Sequence, residues 1–463
     1  MSAFTIQDIV RGTQGALLGG DLGVPVSGVS IDTRTLGAGD AFFAIRGHQL
    51  DGHAYLREAA ARGASCLVVH AVSDELPPSV PAVLVDDTTK ALGRFAAWHR
   101  ARFVLPVAAV TGSNGKTTTK EMMAAVLGAL GPVLKPESSF NNQWGLPLTL
   151  LKLGSGHRAV ALELGANQPG EIAALARISQ PTIGVVTVVS AAHTEFFGSL
   201  DGVQAEKSAL VRAIPPEGFV VLNADDPRVL AMRAVSRGRV VTVSARGAGD
   251  VRCLGEPREA AGGVSFTLAV NGARRETRLR FAGVHNVINA LAAAGVGLAI
   301  GLGLGRIAEG LEAARPVKGR CIWRRAGSVT ILDDTYNANP ASLVAALETL
   351  ETATAARRRV VVLGDMLELG DIAEQAHHEA GRAVAASGAA EFIGVGRHAR
   401  AAVEAARQAG LADSHHTSTF EDTVALLLKR LAPGDALLVK GSRGMRMERV
   451  VDALIGRFGG GDG

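Results

Sequence analysis

Val107-Ala108-Ala109-Val110-Thr111-Gly112-Ser113-Asn114-Gly115-Lys116-Thr117-Thr118-Thr119 is the stretch that decides how this chain folds. Residues 107–110 have the composition of a short buried strand, and the amphipathic spacing around 120–130 is that of a helix. Between them lies a loop with two glycines. The first N–H groups of a helix have no intrahelical acceptor, and glycines let an anion approach the backbone closely. Gly112, Ser113, Asn114, Gly115, Lys116, Thr117 and Thr118 are therefore candidate phosphate contacts. Lys116 is placed to neutralise β- and γ-phosphates, and the Thr117 hydroxyl is placed to ligate Mg2+. The competing reading is a glycine turn with an exposed lysine. One departure stands out: the common phosphate-loop pattern has a glycine where this chain has Val110, so the kinase–ATPase form of the signature is incomplete.

Outward from this loop, short apolar runs at 159–164, 183–189 and 219–222 alternate with helical stretches. That pattern predicts a parallel sheet covered on both faces, with ligands beyond the carboxyl ends of its strands. Upstream, 42–45, 67–69 and 83–85 read as strands and 92–102 as a helix leading to a boundary near Pro106. Downstream of Arg315-Pro316, 330–332, 360–363, 392–395 and 436–439 are again short strands between helices. The expectation is an α/β protein of three domains, at 1–105, 106–314 and 315–463, within the two to four domains that 463 residues call for.

Aromatics are only 4% of the chain against 47% hydrophobic residues, so Ala, Val, Leu and Ile must build the core. The net charge is +4, with no block of like charge and no basic stripe interleaved with aromatics, which argues against a nucleic-acid partner. A mild positive excess suits phosphate- and carboxylate-bearing substrates. Cys66, Cys253 and Cys321 have neither metal nor disulfide spacing, which fits a reducing compartment. Residues 1–10 contain Asp8 and lack the features of a secretory leader. The apolar run 290–305 falls short of a membrane span and reads as a buried helix. A soluble, cytoplasmic protein is expected.

Further segments appear in order along the chain: Asn141-Asn142-Gln143-Trp144-Gly145-Leu146-Pro147-Leu148, Glu163-Leu164-Gly165-Ala166-Asn167, Ala192-His193 with Phe197-Gly198-Ser199, and Gly283-Val284-His285-Asn286 with Asn289-Ala290. Asp333-Asp334-Thr335-Tyr336-Asn337-Ala338-Asn339-Pro340, Gly364-Asp365-Met366-Leu367-Glu368-Leu369-Gly370 and Lys440-Gly441-Ser442-Arg443-Gly444 follow. With the loop Thr-Gly-Ser-Asn-Gly-Lys-Thr-Thr, these resemble the Mur ligases and their folate-polyglutamate relatives over essentially the whole chain. The Tyr-Asn-Ala-Asn-Pro and Gly-Asp-Met-Leu-Glu-Leu-Gly runs are most similar to the branch of the family that adds D-alanyl-D-alanine.

The resemblance implies an ATP-dependent carboxylate–amine ligase acting on UDP-N-acetylmuramoyl-tripeptide and D-alanyl-D-alanine through an acyl phosphate, as a monomer. It implies two Mg2+ sites, held by Thr117, Glu163, His193 and Lys207. Read from the residues alone, Glu163 divides between a rim glutamate and a metal ligand, His193 between a structural histidine and a ligand, and Lys207 is a solvated lysine on a helical stretch at 204–211. The resemblance makes Lys207 the lysine that reacts with CO2 to form a carbamate, although Ser208 and Ala209 follow it where many relatives have a glutamate. Asn286 and Asn289 suit an adenine edge or a helix cap. Asp334 would accept from ribose hydroxyls, and Arg320 would clamp the γ-phosphate across domains. Asn141, Asn142, Tyr336, Asn337, Asn339, Lys440 and Arg443 are carried over as substrate contacts, surface charge being the alternative for the last two. In the first domain Ser30, Thr33, Arg34 and Arg46 would hold uracil or diphosphate, or serve as turns and caps.

Two other classes compete with the ligase: a phosphate-loop kinase or ATPase, against which Val110 counts, and a nucleotide-binding scaffold without chemistry, against which Glu163, His193 and Lys207 count together. Within the family, a sister amide ligase would share the ATP site and differ in its amine.

Overall fold

The computed structural model describes residues 4–47, 49–136, 140–190, 194–260 and 262–459. Its strands form three large sheets and one small two-stranded pairing. The architecture is α/β with parallel pairing dominant in each large sheet.

The central sheet has nine strands. Val107–Thr111 lies between Ala159–Glu163 and Ile183–Val186, parallel to both, and Phe219–Asn223 and Arg239–Ser244 extend the parallel run. Every residue of Val107–Thr111 is buried, as a strand covered on both faces requires. Its alternate residues serve different cores. Ala108 and Val110 pack with Met122, Val126 and Ala290 of the helices Lys116–Leu127 and Asn286–Ala299. Val107 and Ala109 pack with Leu92, Phe95, Ile172 and Leu210.

That second core reaches into the first sheet. Its five strands run in the order Ala16–Leu18, Ala82–Leu84, Cys66–Val69, Ala41–Phe43, Val29–Ser30. The helix Thr88–Arg100 starts where the Asp87 carboxylate accepts from Lys90 N at 2.9 Å, and it inserts Leu92, Phe95 and Ala96 between this sheet and the central one. Phe95 stacks against Phe43, so one apolar cluster serves both sheets.

The third sheet has the order Ile322–Ala326, Val329–Asp334, Ala436–Lys440, Arg359–Gly364, Glu391–Val395, Ser414–Thr417, parallel apart from the first pair. At the amino ends of its central strands sits a buried charge cluster. Glu391 accepts from Arg358 Nη1 at 2.9 Å and from Arg430, and Asp435 accepts from Arg357 Nε and Arg358 Nε, both at 3.0 Å. Both carboxylates are withdrawn from solvent, and the two guanidinium groups on Glu391 each have a second carboxylate, Asp435 for Arg358 and Asp413 for Arg430, so losing Glu391 removes charge-assisted hydrogen bonds without stranding a charge. Glu391→Ala is expected to cost about 2 kcal/mol, the scale of lost hydrogen bonds to a charged group, seen as a clear fall in Tm; an unshifted Tm would show the cluster to be idle. The cleft described below lies at the opposite, carboxyl ends of these strands.

Two sequence expectations need amendment. The central sheet is not purely parallel: Val251–Ala260, Gly263–Val270 and Ala273–Leu279 add an antiparallel arm at its edge. Arg274, Glu276 and Arg278 are exposed on the last of these strands, so Ala273–Leu279 has no continuous apolar run to announce it. The run 290–305 is not one helix. Asn286–Ala299 ends before Gly301 at φ +79, and Leu304–Ala313 begins a second helix. No helix among the described residues is long and apolar enough to cross a membrane.

Candidate active site

The phosphate loop occupies the carboxyl end of Val107–Thr111. Gly112 has φ +144, and a Cβ there would stand 2.0 Å from Thr187 Oγ1. Gly115 has φ +78, and its Cβ would meet Asn289 Oδ1 at 2.3 Å. Both positions therefore demand glycine. Val110 sits inside the strand, paired in register with Glu163 and fully buried. The strand runs one residue beyond it to Thr111, which is why the loop needs no glycine at that point.

Ser113 N donates to Val188 O at 2.8 Å, Ser113 Oγ to Ser190 O at 3.0 Å, and Thr187 Oγ1 to Asn114 O at 2.6 Å. Lys116 Nζ turns back on its own loop, donating to Gly112 O at 2.8 Å and Ser113 O at 3.3 Å. Desolvation at the cleft floor holds its pKa below the ordinary lysine value; the Glu163 carboxylate opposes that shift and Arg320 adds to it.

Thr117 is the junction of the site. Its hydroxyl donates to Glu163 Oε2 at 2.8 Å and accepts from Arg320 Nη2 at 3.1 Å. Glu163 is buried, and Asn141 Nδ2 donates to its Oε1 at 2.8 Å. A hydroxyl and a buried carboxylate side by side are hard oxygen donors of the kind Mg2+ prefers. Among the described residues no group of three or more His, Cys, Asp and Glu side chains is placed to hold a metal, so these donors would need phosphate oxygens and water to complete a coordination shell.

Loop and third sheet face each other across a cleft of about 680 Å³. Asn114 and Asn339 join by two reciprocal amide bonds, Nδ2 to Oδ1, at 3.3 and 2.7 Å. Asn339 also caps the helix Pro340–Glu351, accepting from Ser342 N at 2.9 Å. Lys440 is 1% exposed and is no surface charge: its Nζ pairs with Asp334 and donates to Asn337 O at 2.9 Å. Asp334 Oδ1 accepts from Cys321 N at 3.1 Å. Arg443 is exposed and pairs with Glu448 at 3.1 Å.

Asn286 donates to Ala282 O at 2.6 Å and accepts from Asn289 Nδ2 at 2.9 Å, while Asn289 Oδ1 accepts from Thr119 Oγ1 at 3.2 Å. Both line the cleft with their amides engaged inside the protein, bracing the loop at Gly115. Asn142 Oδ1 accepts from Trp144 N at 3.1 Å and Gly145 N at 2.9 Å, just ahead of the helix Gly145–Leu150. Lys207 is buried on the helix Leu200–Ala213, its Nζ 5.5 Å from the Phe197 ring centroid. Burial, aided by Lys116, lowers its pKa to about 7 against the pull of Glu206 and Glu171. His193 lies outside the described residues.

Ser30, Thr33, Arg34 and Arg46 do not line this cleft. They stand at or just after the carboxyl ends of the paired parallel strands Val29–Ser30 and Ala41–Phe43, the usual ligand position for such a sheet. Arg34 makes a forked pair with Asp32 at 2.9 and 2.6 Å, and Ser30 Oγ donates to Asp32 O at 2.9 Å. Arg46 stands 3.9 Å from Asp51.

Three stretches, 25–100, 110–297 and 319–443, match the family models described as Mur ligase family, catalytic domain; Mur ligase middle domain; and Mur ligase, glutamate ligase domain. The chain belongs to the Mur ligase family. It is 37% identical to the UDP-N-acetylmuramoyl-tripeptide--D-alanyl-D-alanine ligase of Mycobacterium tuberculosis, with 92% of each chain covered. The crystal structure of MurF from Acinetobacter baumannii superposes with a TM-score of 0.89 at 32% identity, covering 98% of this chain and 99% of that one. MurF from Thermotoga maritima in complex with ADP superposes with a TM-score of 0.81 at 26% identity, covering 93% of this chain and 97% of that one.

Some features of this Mur ligase's cleft were not singled out from the sequence. His285 lines it, and desolvation lowers its pKa to about 4, so it is neutral at physiological pH. In the sequence it stands in the Gly-Val-His-Asn segment, where nothing local gives it a role of its own. The Asn114–Asn339 pairing joins residues far apart in the chain, and only the folded arrangement reveals it.

Proposed function

We propose that this Mur ligase joins D-alanyl-D-alanine to UDP-N-acetylmuramoyl-tripeptide with hydrolysis of ATP to ADP and phosphate. The observation that carries this reading is the meeting at Thr117 of Glu163 from the central sheet and Arg320 from the third, directly over the phosphate loop. A carboxylate is a poor acceptor for an amine. Its oxygen attacks the γ-phosphorus, ADP departs, and the dipeptide's amine then displaces phosphate from the acyl phosphate. Charge on the transferring group is the main obstacle, so preorganised cations and N–H donors govern the rate.

In this reading Lys116, the loop N–H groups and Arg320 hold the terminal phosphates, and Asn114 fixes the loop against Asn339. Thr117 and Glu163 would hold one Mg2+, and a carbamate on Lys207 with His193 a second. Mg2+ supplies Lewis-acid neutralisation of phosphate charge when bound. Asn286, Asn289 and His285 form the adenine side, and Asp334, fixed by Lys440, faces the ribose. Residues 1–105 carry the UDP moiety through Ser30, Thr33, Arg34 and Arg46, 106–314 carry ATP, and 315–463 complete the site and receive the dipeptide near Tyr336, Asn337 and Arg443. All three cysteines are free and buried, in keeping with a cytoplasmic enzyme, and we take it to act as a monomer.

The test is a product assay with purified UDP-muramyl tripeptides and several dipeptides. ADP release that depends on D-alanyl-D-alanine, with a pentapeptide product, is the expected result. ADP release driven equally well by a single amino acid would assign the chain to a sister ligase.

A further inference from the structure

Arg320 is held in an unusual backbone. Gly319 before it has φ +76, and Cys321 after it has φ +53, a left-handed conformation that costs a non-glycine residue energy. The bond from Cys321 N to Asp334 helps keep that turn in place. The result is a guanidinium aimed at the phosphate loop, with Nη2 on Thr117 Oγ1 at 3.1 Å and Nε buried without a hydrogen-bond partner.

Tyr336 supports this side chain twice. Its backbone N–H donates to Gly319 O at 3.0 Å, and its ring lies under the guanidinium, 3.8 Å from Cζ to centroid. A second guanidinium, that of Arg443, stands 5.3 Å from the same centroid. Guanidinium groups are weakly hydrated and stack on aromatic faces, so the ring restricts Arg320 without using any of its N–H donors. A hydrogen-bonding partner would have consumed the donor that remains free.

We propose that Tyr336 is a positioning residue for Arg320: its ring holds the guanidinium flat so that Nη2 meets Thr117 and Nε stays available to an oxygen of the nucleotide's terminal phosphate. This rests on the reading of the cleft as an ATP site, but not on the identity of the amine substrate. This role is exerted through Arg320 and is separate from any contact the side chain makes with the dipeptide. The role belongs to the π face and not to the phenol hydroxyl.

The test is a double-mutant cycle in the full chain, reading the binding of Mg-AMP-PNP against Mg-ADP together with kcat. Only AMP-PNP offers a γ-phosphate to Arg320. Tyr336→Leu and Arg320→Ala are each expected to shrink the preference for AMP-PNP by about tenfold, and the double variant to match Arg320→Ala alone. Tyr336→Phe should restore most of what Tyr336→Leu loses. If the leucine variant unfolds, Tyr336→Met, which fills similar space without a π face, takes its place in the cycle. Additive losses in the double variant would overturn the proposal. So would an equal loss of affinity for ADP and AMP-PNP, or an effect confined to the KM of the dipeptide. Because the nucleotide preference is measured without turnover, a chain that ligates a different amine would refute the proposed function and leave this cycle intact.

Discussion

Lys116→Ala is expected to lower turnover by about 10²–10³-fold, the scale on which one preorganised charge-stabilising group acts. In the structure Lys116 Nζ is satisfied by Gly112 O and Ser113 O, so the loop already curls around a cation. The arrival of phosphate oxygens would draw the ammonium away from two neutral carbonyls towards full negative charge. Desolvation at the cleft floor makes that exchange count for more than it would in open water. Binding of the UDP-muramyl substrate should change little, because Ser30, Thr33, Arg34 and Arg46 lie on another sheet and none lines the cleft. Rapid-quench detection of ADP and calorimetry with the UDP substrate separate the two effects. Near-normal turnover in Lys116→Ala would remove this lysine from the chemistry.

Lys207→Ala should be comparably damaging, by about 10²–10³-fold, if its amine is converted to a carbamate that holds a metal ion. Attack on CO2 requires a neutral amine, and a pKa of about 7 supplies one near neutrality, where an ordinary lysine is almost wholly protonated. Wild-type activity should therefore fall when CO2 and bicarbonate are removed, return when they are restored, and decline as pH drops below about 7. The unmodified amine also has a stability signature. The unfolded chain binds this proton up to the ordinary pKa of 10.5 and the folded chain only below about 7. Between those values the unfolded state holds more protons, so in CO2-free buffer this group makes stability rise with pH across the window and level off beneath it. Full activity with Lys207 shown unmodified by mass spectrometry would refute the assignment.

How far the sequence could be read depended on the range of the interaction. The phosphate loop was legible because its glycines, lysine and threonine are local demands: Gly112 and Gly115 are fixed by φ and by the atoms a Cβ would strike. The short buried strands were legible as apolar runs. The antiparallel arm was not, since Ala273–Leu279 exposes its charged residues alternately and gives no such run. Lys440 and Lys207 looked like solvated lysines because nothing local reveals burial; the partner of Lys440, Asp334, lies on the neighbouring strand Val329–Asp334. Asp365 is a related case. It stands in the Gly-Asp-Met-Leu-Glu-Leu-Gly run, and in the fold it accepts from Arg397 N at 2.9 Å and Ala399 N at 2.8 Å, anchoring the start of a helix.

The helix Thr88–Arg100 is wedged between the first sheet and the central one, with Phe95 and Leu92 in a single apolar cluster that serves both. Such a cluster cannot slide or open without exposing its aromatic side chains to water, so the two sheets behave mechanically as one block. If residues 1–105 carry the UDP moiety, the sugar nucleotide would thereby be kept at a set reach from the phosphate loop. The acid end of its peptide would then be delivered to the triphosphate by the length of the substrate itself.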